Sequence, residues 1–102
     1  MSKISCFKSV LGEDIIGNIT ENLDGSIVVS KPMLIMINPN GQGGFSVGLF
    51  PYLMYAEKKE FTYRREQYLF LFDAVSDLHN EYLRATTGLV IPQAETPKLS
   101  LI

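Results

Sequence analysis

Apolar and polar positions alternate along the first two thirds of the chain, and the apolar spacing then lengthens to three and four. Alternation is the pattern of half-buried strands, and the longer step is that of an amphipathic helix. Ile4 to Leu11 reads as a first strand and Gly12-Glu13-Asp14 as a tight turn. Ile15 to Thr20 reads as a second strand, with Ile15 and Ile19 on one face and Gly17 between them. A glycine there withholds a side chain from the concave side and leaves room for a sharp bend. Leu23-Asp24-Gly25 carries an Asp-Gly hairpin signal. The long third strand, Ser26 to Ile37, contains Pro32. Proline cannot donate to a ladder, so a bulge or an edge is expected there.

Asn38 to Gly44 holds three glycines and a proline and reads as a loop. A fourth strand, Phe45 to Ala56, is interrupted by Pro51, and Glu57 to Glu60 forms a charged turn. The fifth strand spans Phe61 to Phe72 with a bend at Arg64 to Gln67. Strict alternation puts Leu69 and Leu71 on one face of it and Tyr68, Phe70 and Phe72 on the other. A strand that is apolar on both faces needs cover on both. One cover is the core, and the other is either the following helix or a neighbouring subunit. Past Asp73, the residues Val75, Leu78, Tyr82, Ala85 and Leu89 form one helical stripe. Asp73 or Ser76 is placed to cap its start and Gly88 to end it. The remainder, with Pro92 and Pro97, reads as an extended tail whose Leu99, Leu101 and Ile102 either pack on another chain or stay disordered. The chain is thus expected to be one domain over residues 1–102, with a barrel at 4–72, a helix at 74–88 and a tail at 89–102. The fold class is all-β with an added helix. Five short strands and tight turns suit a small, strongly bent Sm-like or SH3-like barrel, or else an OB-fold.

Composition adds a demand for partners. Hydrophobic residues make up 46% of 102 residues, rich for a domain that hides only about two thirds of its unfolded surface. No run approaches the ~18 apolar residues of a membrane span, and the first residues show no secretory leader pattern. Burial between copies is the outlet that remains. Cys6 is the single cysteine, so neither an internal disulfide nor a thiolate metal cluster is expected, as suits a reducing cytoplasm. A formal net charge of −2 argues against general nucleic-acid binding. Any such contact must come from a local patch or from several copies around an axis.

Two segments resemble the Sm-like family of ring-forming RNA-binding proteins, most of all its divergent members in bacteria and their viruses. Leu11-Gly12-Glu13-Asp14-Ile15-Ile16-Gly17-Asn18-Ile19 resembles the first half of the family's Sm1 motif, where a turn glycine precedes a strand glycine by five positions. Tyr63-Arg64-Arg65-Glu66-Gln67-Tyr68-Leu69 resembles the Sm2 motif. The resemblance covers about Cys6 to Phe72. It implies a homo-oligomeric ring of about five to seven subunits, in which the fourth strand of one copy pairs with the fifth of the next. It also implies a pore that takes single-stranded RNA. Arg64 matches the family's arginine, while Arg65 stands in place of its glycine and Gln67 in place of its asparagine. Asp24 is displaced by one position from the Sm1 aspartate. Ser26 and Ile27 occupy the family's base-reading positions, and they can neither stack a base nor hydrogen-bond one as the family does. The added helix follows the barrel, whereas the family's usual helix precedes it. The resemblance therefore implies altered base preference, carried by Arg64, Arg65 and Gln67 with Asp24 beside them, or a scaffold that has kept the ring, lost the RNA and binds protein partners.

Little else in the chain suggests chemistry. His79 lacks a metal-binding neighbour at helical spacing and reads as a surface residue. Glu13 and Asp14 are adjacent, so on extended backbone they face opposite ways and form no acid/base pair. The glycines at 41–44 lack the lysine of a phosphate loop. Cys6 has no neighbouring base and reads as a small core residue. The one basic cluster, Lys58, Lys59, Arg64 and Arg65, is interleaved with Glu57, Glu60 and Glu66. It suits either a solvated or salt-bridged hairpin or, repeated around a ring, a positive annulus at a pore. Tyr52, Tyr55, Phe61 and Tyr63 are candidates for base stacking and equally for core packing. Neither a cofactor nor an enzymatic activity is expected.

Overall fold

The computed structural model describes residues 2–53 and 56–87. Its elements run β1 (Lys3–Ser9), β2 (Asp14–Glu21), β3 (Ile27–Pro39), β4 (Phe45–Pro51), β5 (Glu60–Tyr63), a 3-10 turn (Arg65–Gln67), β6 (Tyr68–Phe72) and α1 (Ser76–Thr86). All strand pairs are antiparallel, in the order β4-β3-β2-β1-β6, with β5 also paired to β3. Tyr55, Gly88 and the tail at 89–102 lie outside the described residues.

The sheet is strongly bent, and the cause lies where β2 crosses β3. Ile16 faces Met33 and Asn18 faces Ser30, so the single residue Gly17 opposes both Lys31 and Pro32. That is a β-bulge, and a bulge bends its strand and increases the twist. Lys31 takes the left-handed conformation, φ 52°, a place where glycine is the usual occupant. Gly17 is needed on the other side: a Cβ there would sit 2.7 Å from Val29 Cγ1 and 3.1 Å from the Ser30 carbonyl oxygen. The bulge expected at Pro32 is present. It divides β3 into a first half that pairs with β5 (Ile27 to Ser30) and a second half that pairs with β4 (Met33 to Pro39).

Both faces of the central strands are buried. Phe7, Ile15, Ile19, Ile27, Val29 and Tyr68 fill the concave side. Their chain neighbours Cys6 and Ile16 point the other way and join Met33 and Val47 beneath Leu78 and Tyr82 of α1. Burying each such side chain is worth about 1.5–3 kcal/mol. Tyr82 is the largest fully buried residue, and its hydroxyl donates to the Lys31 carbonyl at 2.8 Å and lies 3.2 Å from that of Ser30. The helix thus grips the bulge.

Four expectations are corrected. The fourth strand ends at Pro51 rather than Ala56, where the proline cannot donate onward. The fifth strand is two strands, β5 and β6, separated by the 3-10 turn. Within β6 the alternation also fails: Lys8 faces Phe70 but Ser9 faces Tyr68, so Leu69 is an extra residue. That bulge turns Tyr68 inward with Leu71, leaving Leu69, Phe70 and Phe72 exposed. Finally, α1 starts without a side-chain cap: Val75 occupies the cap position, and Asp73, two residues before it, pairs with Lys3 at 3.1 Å. Of the predicted stripe, Leu78 and Tyr82 are buried, whereas Val75 and Ala85 are exposed.

Candidate nucleic-acid interface

The turn between β2 and β3 closes on itself through Asp24. Its Oδ1 accepts from the Ser26 backbone N–H at 2.9 Å and from the Ser26 hydroxyl at 2.7 Å. These bonds favour the charged carboxylate, and they hold the Asp24 pKa below its ordinary value of 3.8, the side-chain bond contributing most. Asn22 Nδ2 donates to Ser26 Oγ at 2.9 Å, so the whole turn is internally bonded.

The 3-10 turn between β5 and β6 is the second half of the candidate interface. Gln67 Oε1 accepts from the Arg64 backbone N–H at 2.8 Å, and the Gln67 N–H donates to the Arg64 carbonyl at 2.8 Å. Arg65 folds back: its Nη1 donates to the Tyr68 carbonyl at 3.0 Å, and its guanidinium lies 4.8 Å from the centre of the Tyr68 ring, a cation–π contact. Arg64 is 72% exposed in its side chain, paired loosely with the equally exposed Glu66 at 3.6 Å. An exposed pair of this kind contributes little to stability.

The two turns meet. Tyr68 Oη donates to the Gly25 carbonyl at 2.6 Å, and the aliphatic stem of Arg65 lies against Gly25, about where a Cβ would touch it at 3.4 Å. The four residues singled out in the sequence, Asp24, Arg64, Arg65 and Gln67, therefore sit on two touching loops. Their availability differs. Asp24, Arg65 and Gln67 are engaged in intramolecular bonds, and Arg64 projects into solvent. Tyr68, which joins the loops, was missed because strict alternation grouped it with Phe70 and Phe72, which are exposed, and apart from Leu71. Its signal was its place directly after the Arg-Arg-Glu-Gln run.

The remaining candidates separate. Lys58 and Lys59 precede β5 while Arg64 and Arg65 follow it, so the basic cluster is split between the two ends of that strand. Tyr52 donates to Glu13 Oε2 at 2.8 Å, and the Glu13 Oε1 accepts from the Ser9 hydroxyl at 3.1 Å. Burial, then the bond to Glu13, pushes the Tyr52 phenol well above its ordinary pKa. Tyr63 stacks edge-on against Phe7 at 4.7 Å. Both tyrosines are packing residues. Asp14 is the first residue of β2 rather than part of the turn expected there, and it pairs with its cross-strand neighbour Lys8 at 3.0 Å. Burial first, then the charges of Asp14 and Asp73, pushes the Cys6 thiol up to about 11, so it is a poor nucleophile at neutral pH. No group of metal-binding side chains occurs among the described residues, and no described helix is long and apolar enough to cross a membrane.

The sequence matches no protein-family model and none of the curated proteins with which it was compared.

Proposed function

We propose that the chain assembles into a homo-oligomeric, Sm-like ring, a bent barrel repeated around an axis, that takes single-stranded RNA weakly at its pore. One observation carries the reading: the two strands at the ends of the sheet, β4 and β6, both expose large apolar side chains. These are Phe45 and Phe50 on β4, 46% and 52% exposed, and Leu69, Phe70 and Phe72 on β6, 49%, 59% and 42% exposed. A free apolar edge invites another strand. Two such edges on opposite ends of one sheet make a head-to-tail contact, which a ring closes. Arg64, free of the internal bonds that hold Arg65 and Gln67, is the side chain that would reach phosphate. Each contact would be weak, and repetition around the axis would supply avidity. Salt would weaken binding steeply.

The internal bonding of Asp24 and Gln67 favours a second reading, in which the ring is a scaffold for protein partners in the cytoplasm. Native mass spectrometry with and without a short oligoribonucleotide separates the two. A closed oligomer that carries RNA at low salt, and loses it in Arg64→Gln, supports the first. An oligomer that ignores RNA leaves the scaffold, and a monomer at micromolar concentration refutes both.

A further inference from the structure

A second site lies at the opposite end of β5 from Arg64. A cavity of about 290 Å³ opens where β3 kinks, between the end of β4, the start of β5 and the last turn of α1. Pro32, Met33, Leu53 and Phe61 are among its walls, with Tyr52 and Thr86 beside them, and Lys31 and Lys59 also line it. The volume is at the small end for small-molecule sites, roughly 300–1,000 Å³.

Three features mark it out. Its wall is apolar, yet two lysines border it. Both lysines are exposed, and a lysine that borders an apolar wall can lay its stem along it while its ammonium group stays in water. Neither makes an ion pair among the described residues. The backbones of the two lysines are also tied together, the Lys31 N–H donating to the Lys59 carbonyl at 2.9 Å. Lastly, Lys31 (φ 52°) and Leu53 (φ 58°), the two non-glycine residues with positive φ among the described residues, both line this cavity. Backbone strain of this kind costs of order 1–3 kcal/mol and gathers at ligand sites.

We propose that the cavity binds a small amphipathic carboxylate, its apolar chain against Pro32, Met33 and Phe61 and its carboxylate between the ammonium groups of Lys31 and Lys59. An apolar wall with two unpaired cations at its mouth is complementary to that chemistry and repels the corresponding amine.

Octanoate is the probe and octylammonium its control. Titrating octanoate into the isotope-labelled protein should move the backbone amides of Met33, Leu53, Phe61 and Thr86 saturably, with Kd below about 1 mM. Lys31→Gln combined with Lys59→Gln should weaken binding about tenfold or more while the circular dichroism spectrum is kept. Lys59→Gln alone, outside any strand, serves if the double variant does not fold. No saturable shift, equal binding of octylammonium, or unchanged affinity in the folded variant overturns the proposal. So does a shift of the same amides on concentrating the protein alone, which would give the cavity to a second copy.

Discussion

The two ends of β5 are built on opposite principles. At the Arg64 end, the polar groups of two short loops find partners close by in sequence: Asp24 with Ser26, Gln67 with Arg64, Arg65 with Tyr68. At the Lys31 end the chain is strained, two lysines stand without ion-pair partners among the described residues, and the restraint comes from far away, from Tyr82, 51 residues on. Apart from the Tyr68–Gly25 bond that joins the two loops, local bonding makes the first end cheap to form. Distant bonding makes the second end depend on the helix. Position-specific perturbations should therefore spread at one end and stay confined at the other.

The largest expected effect tests that dependence. Tyr82→Ala removes a fully buried ring from beneath α1 and both contacts to the bulge, and should cost about 3–5 kcal/mol in denaturant unfolding. Amide exchange should speed up at Lys31 and at Tyr52, whose N–H donates to the Pro32 carbonyl at 3.1 Å, as well as in the helix, and should stay unchanged at Gly25 and Arg65. A uniform effect across both loops would abolish the distinction. Next in size is Gly17→Ala. The added methyl meets Val29 Cγ1 and the Ser30 carbonyl from the opposite side of the same bulge, so about 1–3 kcal/mol should be lost. Equal stability to the parent would mean that β3 slides freely past β2.

A smaller change, of opposite sign, sharpens the contrast. Lys31→Gly relieves the positive φ and should stabilise the fold by about 1 kcal/mol, since a non-glycine residue in this conformation costs roughly 1–2 kcal/mol. Destabilisation would show that the lysine stem contributes more by packing than the backbone loses by strain. If the variant gains stability and loses octanoate affinity, the strain is maintained for the side chain's sake.

The same contrast separates what could be read from the chain alone. The Pro32 bulge was legible because proline's missing donor is a property of one residue, and the opposing Gly17 was legible for the same reason. The bulge at Leu69 was not. Nothing in Tyr-Leu-Phe-Leu-Phe marks an extra residue, and one insertion reverses which side chains are buried. The helix was legible from its period, but its target was not, since periodicity says which face is apolar and not what it meets. It covers Cys6, Ile16, Met33 and Val47 and leaves Phe70 bare. The interface residues were located by their loops. Their engagement with Ser26, Tyr68 and one another depends on side-chain geometry that no spacing conveys. The cavity was invisible, because Lys31, Leu53 and Phe61 are brought together only by the kink.

The smallest effect belongs to the Arg64 end and is read through pH. The Ser26 bonds lower the Asp24 pKa in the folded chain below 3.8, so the folded state holds that proton less tightly than the unfolded one. The contribution is complete above the unfolded pKa and is lost as pH falls through the folded value. Because the carboxylate is exposed, it should be slight. Asp24→Asn keeps an oxygen acceptor for the Ser26 N–H and removes the charge, so its unfolding midpoint should fall less than the parent's on acidification below pH 3.8, and the two should run parallel at neutral pH. Since this turn touches the rest of the molecule chiefly through Gly25, the difference should vanish from amides around Lys31. An acid-sensitive Asp24 that also loosened the bulge would show that the two ends communicate through β3, and the separation drawn between them would fail.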